Sequence, residues 1–376
     1  MSHTVHMDFM QKGLTHMDFT IVQKTAVSAT ERERALLNPG FGTTFTDHMA
    51  CVTYTVGKGW HSARIVPYQP LVLDPSALVF HYGQEIFEGL KAYRAEDGRI
   101  LLFRPEANAY RFRKSAERLA MVDLPEELFV KAITELVQID QAWVPPQDIG
   151  ALYLRPFMIA TEAALGVRPS SSFEFIVIAC AVGDYFSAES GLVSVWVEKN
   201  FSRTSRGGTG IAKCGGNYAA SLVAQMEGKA NGCHQVLFLD AYERRWIEEM
   251  GGMNVMMVFD DGTLQTPPLT EGTILHGITR DSLLTLARDK GITVTEAPYA
   301  IDQLYHDAKI GRLREVFACG TAAVVTPISS FKSSAGTCMI GDGKTIGPVT
   351  HLLRQSLCDI QFGRAPDPHG WVKVVV

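Results

Sequence analysis

Gly207-Gly208-Thr209-Gly210-Ile211-Ala212-Lys213-Cys214-Gly215-Gly216-Asn217-Tyr218 sets one lysine among glycines and other small residues. A lysine with such neighbours has clearance for a flat ring beside its amine, which a surface lysine does not need. An amine withdrawn from water loses its preference for the charged form and becomes a nucleophile toward a carbonyl group. Taken alone, the segment fits equally a solvated lysine in a flexible glycine loop. Its neighbours along the chain decide between the two.

Upstream of it, the pattern predicts a strand over Leu192–Val197 and a loop rich in Arg, Ser and Gly over Ser202–Gly210. Downstream it predicts a helix over Asn217–Gly228, strands over Val236–Asp240 and Val255–Phe259, and a helix over Thr279–Lys290. Asp302–Leu313 reads as a further helix, Glu315–Cys319 as a strand broken by Gly320-Thr321, and Val349–Ile360 as the helix that ends the core. Gly277-Ile278-Thr279 opens a helix with free backbone N–H groups. Such an end suits a phosphate, and equally an ordinary helix cap. Gly320-Thr321-Ala322-Ala323 offers a second small-residue turn with exposed donors. Glu248-Glu249 precede Met250-Gly251-Gly252, where one acid can meet a cationic ring nitrogen or both can be solvated.

In the first half, Leu71–Phe80 leads as strand or helix into the turn His81-Tyr82-Gly83. Phe87–Tyr93 alternates as a half-buried strand closed by the hairpin signal Asp97-Gly98. Leu124–Trp143 carries its apolar residues at helical spacing, Phe173–Ala181 is a continuous apolar strand, and Gly183–Ser187 reads as a crossing between domains. A chain of 376 residues exceeds one ordinary core. Mixed strands and helices in both halves imply two α/β or α+β domains with a cleft between them. The expected boundaries are an extension over 1–35, a small domain over 36–182, a connection over 183–190 and a larger domain over 191–376. Repeated Met-Asp-Phe triplets at Met7 and Met17 set the extension apart.

The composition, 46% hydrophobic and 20% charged, is that of a compact chain rather than a disordered one. A formal net charge of -5 without a lysine or arginine block speaks against nucleic acid as the main partner. No run approaches a membrane span and no signal-peptide pattern opens the chain, so neither a membrane nor an export route is expected. The seven cysteines form no CxxC pair or zinc-like cluster, which leads us to expect no metal, thiols in a reducing compartment and a place in the cytoplasm.

Seven runs in this chain resemble, in order, the branched-chain aminotransferases of the class IV, fold type IV, pyridoxal-phosphate enzymes. They are HYGQEIFEGLKAYR from His81, NAYRFRKSAERL from Asn108, LYLRPFMIATEAALGV from Leu152, GGTGIAKCGGNYAASL from Gly207, EMGGMNVMMVF from Glu249, ILHGITRDSLL from Ile274 and EVFACGTAAVVTPI from Glu315. The resemblance covers most of the chain from about residue 40. It implies a mixed α/β fold of two domains, with pyridoxal 5'-phosphate linked to Lys213, which also moves the substrate proton. It sets Glu249 at the pyridine nitrogen and Tyr218 at the ring oxygen. Arg111, the Ile278 and Thr279 amides, the Thr279 hydroxyl and Thr321 fall at the phosphate. A carboxylate at the ring nitrogen strengthens the ring as an electron sink.

The same resemblance lines the substrate pocket with Tyr82, Phe87 and Tyr153. Tyr153 and Arg155 form the polar end for an acidic co-substrate, Thr321 and Ala322 meet the α-carboxylate, and Gln235 stands near the pocket. The implied reaction exchanges the amino group of leucine, isoleucine or valine with 2-oxoglutarate in a reversible ping-pong cycle. A homodimer is implied as well. Two departures stand out: Ala323 and Thr326 occupy the places where mammalian members carry a redox-active CxxC, and Gly252 stands where some relatives have a hydroxyl residue. The alternatives are a D-amino-acid aminotransferase or an aminodeoxychorismate lyase of the same fold, which keep the lysine, the glutamate and the phosphate cup. More distant is a cofactor-binding protein without turnover, whose mark would be loss of that lysine or glutamate.

Overall fold

The computed structural model describes residues 17–24, 26–183 and 191–376. These divide into two compact units, one of the described residues up to 183 together with Gln361–Val376, the other of those from 191 to Ile360. Each has its own sheet. The fold is mixed α/β in two domains, as the sequence implied.

The first unit is built on a ten-stranded, mostly antiparallel sheet. Its centre is Ala151–Ala160, paired on one side with Ser172–Val182 along its whole length and on the other with Glu85–Phe87 and Leu90–Arg94. Two amphipathic helices, Pro105–Arg118 and Glu126–Ile139, cover one face. Phe112, Phe129 and Phe175 join them to the sheet, with ring centroids 5.2–5.7 Å apart. Each such ring contributes roughly 2–3 kcal/mol of burial, an upper bound against a compact unfolded chain.

Expected as one alternating strand, Phe87–Tyr93 is instead two strands parted at Glu88-Gly89. Pro156 of the facing strand explains the break. The Glu88 N–H donates to the Pro156 carbonyl at 2.7 Å, but proline has no N–H to return. The hairpin at Asp97-Gly98 is present, with Gly98 at φ 91° and Arg94 opposite Ile100. Leu78–Tyr82 is a short helix stopped by Gly83 in the left-handed conformation. Part of the expected extension is structured: Thr20–Ile21 pairs with Arg64 and Ile65, and Ser28 with Glu31 forms a capping box on the helix Ala29–Leu37. Residues 1–16 and 25, and all of the expected connection over 183–190 except Gly183, lie outside the described residues.

The second unit is a nine-stranded mixed sheet. Val193–Val197 lies parallel to both Gln235–Leu239 and Val324–Ser333 and is buried at every position. That explains a strand apolar on both faces. Leu313–Gly320 pairs antiparallel with Val324–Ser333 on one side and with Asn254–Phe259 on the other, and the helix Ile278–Asp289 packs on it. Three expectations are corrected. The helix over Asn217–Gly228 is two, Gly215–Ala219 and Leu222–Ala230, because the Ser221 hydroxyl bonds back to the Tyr218 carbonyl at 2.7 Å. The helix at Asp302 ends at Lys309, where Gly311 turns the chain at φ 75° into the strand starting at Leu313. Finally, Pro348–Gln361 does not end the core: Val372–Val374 pairs with Leu101–Phe103, so the tail belongs to the first unit rather than the second domain.

Candidate active site

In the second unit the lysine loop is pinned on both sides of Lys213. Asn217 Nδ2 donates to the carbonyls of Thr209 and Ala212 at 2.8 and 2.9 Å, and the Thr209 hydroxyl donates to Asn217 Oδ1 at 2.6 Å. The Thr273 carbonyl anchors the start of the loop, accepting from Arg203 Nη2 at 2.5 Å and from the Thr204 hydroxyl at 3.1 Å. Gly210 lies so close that a Cβ there would meet the same carbonyl oxygen at 2.4 Å. The loop is therefore not a loose glycine linker. Its amine is directed: Lys213 Nζ donates to the Tyr218 hydroxyl at 2.8 Å.

The Tyr218 ring in turn lies against the turn at Gly252, where a Cβ would stand 3.1 Å from Cε1. Gln235 flanks the same turn, its Oε1 2.8 Å from the Cβ position of Gly251. A Cβ on Gly320 would meet Met253 Cγ at 3.4 Å, which brings the end of Leu313–Gly320, and so Thr321 and Ala322, to this turn. Val324, which closes that second turn, holds φ 57°, an uncommon conformation for a β-branched residue and one of the kind that clusters at functional sites.

Glu249 is buried on Ile247–Met250 and is held from three sides. It forms an ion pair with Arg203, accepts from the Leu275 N–H at 3.3 Å on Oε1 and from Asn254 Nδ2 at 3.4 Å on Oε2. Asn254 also donates to the Leu275 carbonyl at 3.1 Å, and a Cβ on Gly277 would sit 1.9 Å from its Oδ1. Glu249 and the helix start at Ile278-Thr279 thus share one neighbour, and only glycine fits between. Burial pushes the adjacent Glu248 carboxyl above the ordinary carboxylate range, against smaller opposing contributions from Thr273 and Arg203.

In the first unit Arg111 meets Glu88. Its Nε donates to Oε1 at 2.7 Å and its Nη2 to Oε2 at 2.8 Å, a buried two-pronged pair. Asn108 Nδ2 and the Gly89 N–H also donate to Oε2, at 2.7 and 3.1 Å. Tyr153 and Arg155 come together as the alternation along an extended strand implied, with Phe87 beside them: the Arg155 guanidinium lies 4.7 Å from the Phe87 ring centroid, and its Nη2 donates to the Tyr153 hydroxyl at 3.1 Å. A Cβ on Gly89 would stand 2.1 Å from that hydroxyl, so glycine makes room for it. The Tyr82 hydroxyl donates to the Leu165 carbonyl.

Sequence reasoning missed Arg203, Glu88 and Phe41, whose ring packs on Tyr153 at 5.3 Å. Arg203 hid in a loop whose Arg and Ser content reads as solvated. Glu88 hid inside a segment read as a plain strand. The three-residue spacing of Asn108 and Arg111 on one helix was the one available sign of a shared acceptor.

Residues 85–331 match the amino-transferase class IV family. A branched-chain-amino-acid aminotransferase of Mycolicibacterium smegmatis is 52% identical over 361 residues, 95% of this chain and 98% of that protein. The branched-chain amino acid aminotransferase of Escherichia coli shares the fold, with a TM-score of 0.72 and 28% identity over 87% of this chain and 100% of that one. The T.th. branched-chain amino acid aminotransferase with pyridoxamine 5'-phosphate superposes at a TM-score of 0.71, with 30% identity over 87% of this chain and 99% of that one. The chain belongs to the class IV aminotransferases and, within them, to the branched-chain-amino-acid aminotransferases.

Proposed function

We propose that this chain moves the amino group of L-leucine, L-isoleucine or L-valine to 2-oxoglutarate, and the reverse, with pyridoxal 5'-phosphate as cofactor and Lys213 as the residue that holds it. One observation carries the reading: the amine of Lys213 is aimed at the Tyr218 hydroxyl, 2.8 Å away, in a pinned loop of a chain 52% identical to a branched-chain aminotransferase. The residues fit the cofactor. Lys213 offers an amine beside the Tyr218 hydroxyl, and the buried Glu249 suits a cationic ring nitrogen.

When bound, the cofactor supplies the carbonyl that takes up the amine and the electron sink for the substrate carbanion. Lys213 carries the proton at the substrate Cα. Tyr218 donates to the ring oxygen while restraining the lysine. Glu249 faces the ring nitrogen. The N–H groups at Ile278 and Thr279, the Thr279 hydroxyl, Thr321 and Arg111 hold the phosphate, and Glu88 keeps the Arg111 fork in one orientation. Tyr82, Phe87, Tyr153 and Gln235 line the substrate pocket, Arg155 serves the second carboxylate of glutamate and 2-oxoglutarate, and Thr321 and Ala322 receive the α-carboxylate. An apolar wall selects aliphatic side chains by desolvation, and one arginine rescues the acidic partner.

We read the chain as a homodimer of the cytoplasm. Leu222, Val223 and Met226, on one short helix, are 55%, 57% and 73% exposed and give a second copy an apolar face; no disulfide joins the seven cysteines. The test of the activity is an assay of cofactor-loaded protein with 2-oxoglutarate and, separately, L-leucine, L-isoleucine, L-valine and D-alanine, and of aminodeoxychorismate alone. Glutamate formation with the three branched L-amino acids supports the reading. Turnover confined to D-alanine or aminodeoxychorismate overturns it.

A further inference from the structure

Arg203 and Glu249 form an ion pair whose side chains are 5% and 3% exposed. A lone carboxylate at such depth tends toward its neutral form, because desolvation disfavours the charge. The Leu275 N–H at 3.3 Å and Asn254 Nδ2 at 3.4 Å also donate to Glu249, both neutral and long. They steer the carboxylate more than they stabilise its charge. Arg203 is itself fixed, since its Nη2 also donates to the Thr273 carbonyl at 2.5 Å. Both contacts leave one nitrogen, Nη2, so the Thr273 carbonyl fixes the guanidinium end that faces Glu249.

The other ionisable groups around this pair leave the guanidinium to Glu249. Glu248 has Thr273 as its side-chain hydrogen-bond partner, and burial raises its carboxyl above the ordinary value. Asp240 is occupied by the backbone N–H groups of Tyr242, Glu243, Arg245 and Trp246. Burial pushes the Cys319 thiol up to about 12, which keeps it uncharged. Arg280, the cation beside Cys319, is tied to the Pro267 carbonyl at 3.0 Å and to Glu296 at 2.7 Å.

We infer that Arg203 is a positioning residue for Glu249: it keeps that side chain a carboxylate in one orientation, so that an anion and not a neutral acid meets the cofactor ring nitrogen. This rests on the reading of Glu249 as the ring-nitrogen partner. Arg203 acts through Glu249 and need not touch substrate or cofactor.

The test compares the affinity of the cofactor-free protein for pyridoxal phosphate with that for 1-deazapyridoxal phosphate, in which a C–H replaces the ring nitrogen. The phosphate and aldehyde contacts cancel in the ratio, and no turnover is read. The parent protein should favour the nitrogen-bearing ring about 10- to 100-fold, the value of a charge-assisted hydrogen bond. Glu249→Gln should lose most of that preference. Arg203→Met should lose it nearly as fully, and Arg203→Lys should keep part. If Glu249→Gln loses the preference while Arg203→Met keeps it, the inference fails and the reading of Glu249 stands. If the parent shows no preference, or Glu249→Gln leaves it unchanged, the reading itself fails and takes the inference with it. Should Arg203→Met not fold, Arg203→Lys decides: a preference equal to the parent's overturns the inference, and a partial loss supports it. With Glu249 held as a carboxylate, the preference does not fall between pH 7.5 and 5.5. A fall in that window would show an unsupported acid taking up its proton, and would overturn the proposal.

Discussion

Lys213 Nζ donates to the Tyr218 hydroxyl at 2.8 Å, and the two residues lie on either side of the Gly215-Gly216 turn that opens a short helix. Tyr218→Phe should therefore leave the fold intact and slow amino transfer by about 10- to 100-fold, the effect of one hydrogen bond to a charged group. Rates with L-leucine at saturating cofactor, beside a circular dichroism spectrum, check this. An unchanged rate would mean that the tyrosine only fills space against Gly252.

Glu88 and Arg111 are 0% and 9% exposed at their side chains and bind through two parallel hydrogen bonds. Removing either partner leaves the other buried without its counter-charge, which costs on the order of 3–5 kcal/mol. Arg111→Ala and Glu88→Gln should both lower the denaturation midpoint, and both should weaken cofactor retention on dialysis more than turnover at saturating cofactor. Equal retention in Glu88→Gln and the parent would separate Glu88 from the phosphate site.

Much of this arrangement is legible along the chain. Strongly periodic elements such as Leu124–Trp143 appear within a few residues of their place, as the helix Glu126–Ile139 with a short turn after it. The juxtaposition of Tyr153 and Arg155 follows from the alternation of any strand. Most of the missed features depend on residues far apart in sequence. Nothing local tells that Pro156 splits the strand opposite, that Val372–Val374 returns to Leu101–Phe103, or that Arg203 crosses to Glu249. Ion pairs of this kind have no period, so only the tertiary fold reveals them. The roles of Lys213 and Glu249 were read from the resemblance; their residues alone fitted a solvated loop equally well.

Arg155 lies between the Phe87 ring and the Tyr153 hydroxyl. On the proposed reading, only glutamate and 2-oxoglutarate would bring a side-chain carboxylate to it. Arg155→Met should slow the glutamate half-reaction by about 10- to 100-fold while changing the leucine half-reaction little. Single-turnover absorbance of each half-reaction separates them. Equal slowing would make the arginine a support for Tyr153 and Phe87.

Burial raises the Glu248 carboxyl above its ordinary value of 4.5, so the folded chain retains a proton that the unfolded chain releases. Where the folded state binds more protons, stability falls as pH rises, here from about 4.5 upward through the raised value. Glu248→Gln removes this dependence. Relative to the parent, its melting temperature should gain steadily as pH rises from about 4.5 toward neutrality. A relative loss over that range would place Glu248 as a buried anion.

The most direct measurement is borohydride reduction of cofactor-loaded protein, with and without prior exposure to L-leucine, followed by mass mapping of the cofactor. The expected result is cofactor fixed to Lys213 in the untreated sample, and none there after L-leucine, with 4-methyl-2-oxopentanoate released in equal amount. Treatment with 2-oxoglutarate should then restore labelling at Lys213 and yield glutamate. Cofactor fixed to another lysine, or labelling of Lys213 that L-leucine does not abolish, would contradict the assignment.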